Sequence, residues 1–204
     1  MNDNEAYWQG FYSSSAFQEE LLLPSQFGAF VSNEIARNSL IIDVGCGNGR
    51  DSLYFGRHGF QVVGIDRSEK AISLCKKNAP KNCLFMCCNL SALDFKIQVD
   101  DHLNTQNDNV IVYSRFFLHA IDRKLQRTFL SEVSRLREKN LKCFLEFRID
   151  KDMGRKKETP QHYRRYVDLN EFEKDAADFS WKIDYKTVGT GLAKYRQDDA
   201  YVAR

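Results

Sequence analysis

Three glycines and two carboxylates hold the clearest chemistry in this sequence. Gly45, Gly47 and Gly49 stand in LIIDVGCGNGRDS, a Gly-x-Gly-x-Gly turn between an apolar run and an amphipathic one. Glycine there permits tight turning and lets a ligand reach the backbone where a Cβ would collide. The N–H groups that open the following helix add a locally positive surface. Asp43 stands at the tip of the first apolar run, and Asp66 ends the next one, QVVGID. A helix over residues 50–58 runs back by roughly 14 Å at ~1.5 Å per residue. A strand over residues 61–66 returns by roughly 18–20 Å at ~3.3 Å per residue. Asp66 therefore arrives at the same edge as the glycine turn, where its two oxygens can accept from both hydroxyls of a ribose.

The spacing of the glycines selects among nucleoside cofactors. Dinucleotide enzymes use Gly-x-Gly-x-x-Gly, with a pyrophosphate at the helix start. Here the third glycine comes one residue early, which argues against a nicotinamide-dependent oxidoreductase. A carboxylate at Asp43 is unfavourable beside a diphosphate but useful beside an ammonium group. S-adenosylmethionine (SAM) has that ammonium on its methionine end.

DVGCGNGRDS followed by GIDRS resembles motif I and the ribose-binding motif of the class I SAM-dependent methyltransferases. The likeness is specific over residues 39–68 and follows the family's element order to about residue 204. It implies an α/β, Rossmann-like fold: a seven-stranded mixed sheet of order 3-2-1-4-5-7-6, its last strand antiparallel, with helices on both faces. By the same resemblance Asp43, Gly45 and Gly47 hold the methionine part within a turn completed by Gly49. Asp66 then holds the ribose, Arg67 flanks the adenine, and Asn89 and Leu90 form the adenine edge. The family often has Asp where Asn89 stands, but the Asn89 side-chain carbonyl can still accept from the adenine amino group.

Ser114 through His119 (SRFFLH) follow the fourth predicted strand, where this family brings methyl donor and acceptor together. Ser114 falls on the cofactor side of that corner. His119 is the candidate general base, since imidazole titrates near neutrality; the alternative is a histidine packed at the edge of the turn. A base is not obligatory, because the sulfonium already has an excellent leaving group and alignment supplies much of the acceleration. Arg115 and Arg148 end predicted strands at the cofactor's edge, and Arg164 and Arg165 follow. Arginine forks match carboxylate or phosphate oxygens, so a small anionic acceptor is expected, against the reading that Arg148 pairs with Glu146 or Asp150. Trp8, Tyr12 and Phe27 are candidates for shielding the sulfonium by cation–π contact, with ordinary packing as the alternative. His162 and Tyr163 lie in a region that often shapes the acceptor pocket in this family.

The elements that position these groups follow from periodicity. Apolar runs at 39–44, 61–66, 83–88, 110–114 and 141–148 read as strands, alternating with helices at 50–58, 68–78, 122–137 and 168–178. Residues 95–109 read as a surface connection. The segments 181–188 and 200–203 read as a terminal antiparallel pair joined by a long loop, GTGLAKYRQDD. Residues 1–38 form an aromatic-rich extension, helical after Pro24 and a candidate lid, ahead of a catalytic domain over 39–204.

Composition closes off other classes. The chain has 204 residues, enough for one α/β domain. A net charge of +2 demands neither nucleic acid nor an anionic membrane as partner. The Asn/Asp-Pro-Pro-aromatic motif of DNA adenine and protein glutamine methyltransferases is replaced by YSRFFLHA. No signal peptide and no apolar run of transmembrane length are expected, so the expected location is the cytoplasm. The six cysteines read as thiols in a reducing compartment. Cys83, Cys87 and Cys88 lack the second ligand pair of a zinc site, and no metal is expected. The short form with WQGFY, PSQFGAFV and GNGRDS looks most like bacterial small-molecule methyltransferases of natural-product or surface-polysaccharide modification. A SAM-binding partner subunit without activity is the alternative that these residues leave open.

Overall fold

The computed structural model describes residues 7, 10, 23–90, 109–136, 140–155, 157, 163–195 and 198–204. In chain order the elements are α1 (Gln26–Glu34), β1 (Leu40–Val44), α2 (Arg50–Arg57), β2 (Gln61–Asp66), α3 (Glu69–Asn78), β3 (Cys83–Cys87) and β4 (Val110–Arg115). They continue with a 3-10 turn (Leu118–Ala120), α4 (Arg123–Ser134), β5 (Leu141–Arg148), α5 (Leu169–Asp178), β6 (Val188–Tyr195) and β7 (Asp198–Ala203). The strands form one seven-stranded sheet in the order β3-β2-β1-β4-β5-β7-β6. β7 runs antiparallel to both β5 and β6, and the other pairings are parallel.

The near-continuous apolar runs of β1 and β4 have a simple cause: both faces of the central strands are covered. Leu40, Ile42 and Val44 point to one side, where Phe129, Leu130 and Val133 of α4 and Phe172 of α5 meet them. Ile41, by the strand's two-residue period, points to the other side and joins Phe27 and Val31 of α1 with Phe55 of α2. A smaller cluster seats α3 through Ile72 and Cys75 against Leu53 and Phe85. Side-chain caps mark several helix starts: Ser25, Ser68, Asp122 and Asp168 each accept a backbone N–H from the first turn. α5 is tied to α4 by Asp175, whose buried carboxylate accepts from Arg123, Gln126 and Arg127.

The terminal strands depart from expectation. Trp181 to Lys186 alternate in polarity but form no strand. The Trp181 indole N–H is drawn to Ser134 Oγ at 2.7 Å, and the ring packs on the α4 side of the core. Tyr185 is left 64% exposed, so the segment has no second face to bury. Much of the expected loop is instead β6, which absorbs Gly191 (φ 77°) through a register shift between Gly189 and Ala193. Glycine in that position marks a bulge rather than a turn. The expected surface connection at 95–109 lies outside the described residues except Asn109. Among the described residues, no helix is long and apolar enough to cross a membrane.

The large cluster rests on Phe129, which is fully buried between the Phe117 and Trp181 rings. Phe129→Ala is expected to cost about 3–5 kcal/mol through lost transfer energy and a residual cavity. The check is urea unfolding, where the midpoint falls while the slope stays unchanged.

Candidate active site

At the carboxyl edge of the parallel strands a cavity of about 270 Å³ opens between the turns after β1, β2 and β4. Register explains the convergence. Asp43 pairs with Gly64 and Tyr113 on the neighbouring strands, so the ends of β1, β2 and β4 stop level with one another. The glycine turn leaves β1 with Gly45, Gly47 and Gly49 all at positive φ. At Gly45 the requirement is also steric, because a Cβ would stand 2.7 Å from the Phe117 ring. Gly45 and Cys46 donate their N–H groups to the Ile65 carbonyl, which fastens the turn to the tip of β2.

Both carboxylates stand in the cavity wall, Asp43 buried and Asp66 half-buried. Asp66 accepts from Gly47 N–H at 2.9 Å and Ser68 N–H at 2.8 Å. One acid thus braces the glycine turn and the start of α3. Burial raises its pKa, against the two backbone donors and Arg67. Asp43 accepts from Ser52 Oγ at 2.5 Å. Burial pushes its carboxyl up to about 8, the Ser52 bond opposes this, and Asp51 and Asp66 add repulsion. Arg67 also lines the cavity, and its Nη2 is buried with no hydrogen-bond partner among the described residues. Asn89 and Leu90 complete this end of the cavity.

The opposite end is built from β4, β5 and the segment after them. Phe116, at φ 59°, takes a backbone conformation costly for a non-glycine residue. Its ring lies 4.2 Å from the Arg115 guanidinium carbon and 5.2 Å from that of Arg148. Arg115 Nε donates to Glu146 at 2.8 Å, and Arg204 Nε donates to the other oxygen of the same carboxylate at 2.7 Å. Arg148 is paired, but with neither Glu146 nor Asp150: it donates to Asp152 and Asp198, each at 2.7 Å. His119 is buried on the cavity wall, and its Nδ1 accepts the Arg148 backbone N–H at 3.2 Å. A ring whose Nδ1 accepts carries its proton on Nε2.

The structure gathers most of the expected groups around this one cavity. Asp43, Gly45, Gly47, Asp66, Arg67, Asn89, Leu90, Arg115, His119, Arg148 and Arg164 all line it. Five stand elsewhere. Gly49 caps α2 and faces Cys75. Ser114 is buried, with its Oγ donating to the Val44 carbonyl at 2.9 Å. Arg165 bonds the Leu118 and Ile121 carbonyls and Gln126, which secures the 3-10 turn. Phe27 stacks on Tyr113 at 5.2 Å within the core. Tyr163 is exposed. Trp8, Tyr12 and His162 lie outside the described residues. Cys83 and Cys87 donate to the Ser52 and Arg67 carbonyls. Among the described residues no group of three acidic, His or Cys side chains is placed to hold a metal.

Sequence reasoning missed Asp51 and Tyr113, which also line the cavity. Asp51 accepts from Ser25 N–H and Ser25 Oγ, both at 2.7 Å, and from Tyr113 Oη at 2.6 Å. Arg50 beside it holds the Leu23 and Pro24 carbonyls. No local pattern reveals this network, since an Asp in a helix's first turn is ordinary and Tyr113 sits in an apolar strand. Its members meet only through the fold.

Comparison with known proteins agrees with this geometry. Residues 41–140 match a family model described as a methyltransferase domain. The ubiquinone biosynthesis O-methyltransferase of Pelagibacter ubique is 33% identical over 110 residues, which is 53% of this chain and 42% of that enzyme. The match thus spans less than half the length of that relative. A SAM-dependent methyltransferase from Anabaena variabilis superposes with TM-score 0.69 at 17% identity, covering 100% of this chain and 93% of its own. The magnesium protoporphyrin IX methyltransferase of Synechocystis with bound S-adenosylhomocysteine (SAH) gives TM-score 0.64 at 16% identity, covering 98% of each chain. At such identities the structural likenesses speak to the fold.

The buried Asp43 makes stability depend on pH in a definite direction. Its folded pKa of about 8 lies above the unfolded value, so its burial is least costly at low pH. The penalty grows as pH rises toward 8 and is complete above it. Asp43→Asn removes the ionisation and keeps an oxygen for Ser52. Without added ligand the variant is expected to melt several degrees above the parent protein at about pH 9, with a smaller gain at about pH 5. Thermal unfolding across that range checks the sign; a gain independent of pH would contradict the assignment.

Proposed function

The chain belongs to the class I SAM-dependent methyltransferases, and on that premise we propose that it transfers a methyl group from SAM to an oxygen or nitrogen of a small molecule. The observation that carries this reading is the meeting of Asp43, the Gly45–Gly47 turn and Asp66 on one cavity wall. The donor set suits each part of the cofactor. Asp43 offers a buried anion to the methionine ammonium. The oxygens of Asp66 each retain acceptor capacity beyond their backbone bonds for the ribose hydroxyls. Arg67, with its unpartnered buried Nη2, faces the adenine between β2 and the Asn89–Leu90 corner.

Bound there, SAM supplies an electrophilic methyl on a sulfonium whose neutral thioether departs readily. What the protein adds is orientation and exclusion of water. Phe117 fills the space that the missing Gly45 side chain leaves and so walls the cavity against the β4 tip. His119 lines the acceptor end, its ring held by the Arg148 backbone N–H at Nδ1. Arg115 supplies positive charge at the acceptor end.

Binding itself is expected to move a proton. At neutral pH the carboxyl of Asp43, with its pKa pushed up to about 8, is mostly protonated, and an ammonium beside it favours the ionised form. SAM binding near pH 7 should therefore release a proton, and affinity should rise as pH approaches 8. Calorimetry in two buffers of different ionisation enthalpy reads this directly. Asp66→Ala, which removes charge-assisted acceptors, should weaken SAM binding about tenfold to a hundredfold. Absence of saturable SAM or SAH binding by the intact protein would overturn the reading.

A further inference from the structure

We propose, resting on the reading of this site as a methyltransferase, that Arg115 receives the carboxylate of SAM's methionine end and so makes the protein select the intact amino-acid cofactor. That zwitterion carries its ammonium and its carboxylate on one carbon, so the partners of the two groups must face each other across a short gap. The sheet provides that gap. Asp43 on β1 pairs with Tyr113 on β4, and Arg115 follows Tyr113 by two residues. By the strand's two-residue period the three side chains leave the same face of the sheet. It is the face where Ile41 and Ile111 meet α1 and α2, and where Ser52 and Asp51 of α2 bond Asp43 and Tyr113. Sheet spacing puts the Asp43 and Arg115 Cα atoms about 8 Å apart, and both residues line the cavity. Strand order reverses between β1 and β4, the crevice in which open α/β sheets bind ligands. The Arg115 charge also reaches Asp43 and eases its ionisation.

Elimination leads to the same residue. A glycine turn ahead of a helix is an ordinary place for an anion, but here its N–H groups are spent. Gly45 and Cys46 donate to the Ile65 carbonyl, Gly47 to Asp66, and Gly49 to the Cys46 carbonyl. Asp43, Asp51 and Asp66 stand on the same wall, so a methionine carboxylate without a cation beside it would meet repulsion. Arg50 gives Nε and Nη2 to the Leu23 and Pro24 carbonyls. Arg148 gives both terminal nitrogens to Asp152 and Asp198. Arg115 gives only Nε, to Glu146. Among the described residues its terminal nitrogens make no hydrogen bond, and its side chain is 16% exposed while lining the cavity. Glu146 and the Phe116 ring at 4.2 Å hold the guanidinium in place, so little freedom is lost when a carboxylate docks on its fork. No excess of charge is required: the zwitterion is neutral, and Asp43 and Arg115 meet its two ends.

The test compares SAM with decarboxylated SAM, which keeps the ammonium, the sulfonium and the adenosine and lacks only the carboxylate. By calorimetry the parent protein is expected to bind SAM at least about tenfold more tightly than decarboxylated SAM, as a charge-assisted pair allows. In Arg115→Gln the preference should shrink to within about twofold through loss of SAM affinity, with decarboxylated SAM bound about as in the parent. A merely structural role would weaken both ligands alike. Arg115→Lys keeps a charge for Glu146 and covers the case in which Arg115→Gln does not fold. It should retain only part of the preference, because an ammonium lacks the planar fork. Arg164→Gln, which removes another arginine of the cavity wall, should leave the preference unchanged. Four results overturn the proposal and leave the methyltransferase reading standing: equal binding of the two ligands by the parent, a preference undiminished in a folded Arg115 variant, equal weakening of both ligands in folded Arg115→Gln, or a preference lost in Arg164→Gln. Failure of the parent protein to bind SAM, decarboxylated SAM or SAH would remove that reading itself.

Discussion

Two acids at the ends of adjacent parallel strands, Asp43 buried and Asp66 half-buried, set the terms for everything around them. A carboxylate removed from water is costly unless hydrogen bonds or charge compensate it, and here the compensation shapes the site. Asp66 is satisfied by the Gly47 and Ser68 N–H groups, which hold the glycine turn and the start of α3 in one geometry. Asp43 receives a single bond, from Ser52, and remains under strain from its neighbours. The first acid works as a brace, whereas the second stores an unmet demand for a cation. That asymmetry suits the proposed cofactor site, braced at the acid proposed for the ribose and responsive at the one proposed for the methionine ammonium.

The same economy extends outward from the glycine turn. Arg50 and Asp51 follow Gly49 directly, and both, while lining the cavity, hold the chain ahead of α1. Asp51 takes Ser25 through backbone and side chain, and Ser25 Oγ in turn caps α1 at Gly28. Gly28 is glycine because a Cβ would stand 2.8 Å from the Asp51 carboxylate. α1 is therefore joined to the helix that starts at the glycine turn, as well as packed on the sheet by Phe27 and Val31. A disturbance at the turn reaches α1 through two adjacent residues.

At the other end, charge is balanced by sharing. Glu146 serves two arginines, and Asp152 serves an arginine and a lysine. Breaking any one of these buried pairs leaves an uncompensated charge, so the cations are fixed in place rather than free to fold away. Phe116 adds a second constraint: its left-handed backbone turns the chain so that one ring meets both guanidiniums. Strain of this kind persists where the surroundings over-determine it, and here they are the two arginines and the edge of His119.

The sequence by itself placed the alternating strands and helices and brought the glycine turn and Asp66 to one sheet edge, because those rest on local patterns; the sheet order came from the family resemblance. Alternating apolar and amphipathic runs, three glycines at fixed offsets, and an acid one strand later reach their positions through helix and strand dimensions alone. The terminal hairpin was misjudged because alternation over Trp181–Lys186 is the same whether or not a second face is buried. Only the tertiary structure placed Trp181 against Ser134 and turned Gly191 into a bulge. It alone decided how the arginines are partnered, which nitrogen of His119 holds the proton, and that Ser25, Asp51 and Tyr113 meet. The physical reason is range: a periodicity is read within a few residues, whereas an ion pair between Arg148 and Asp198 spans fifty positions of chain and exists only once the sheet has aligned its ends.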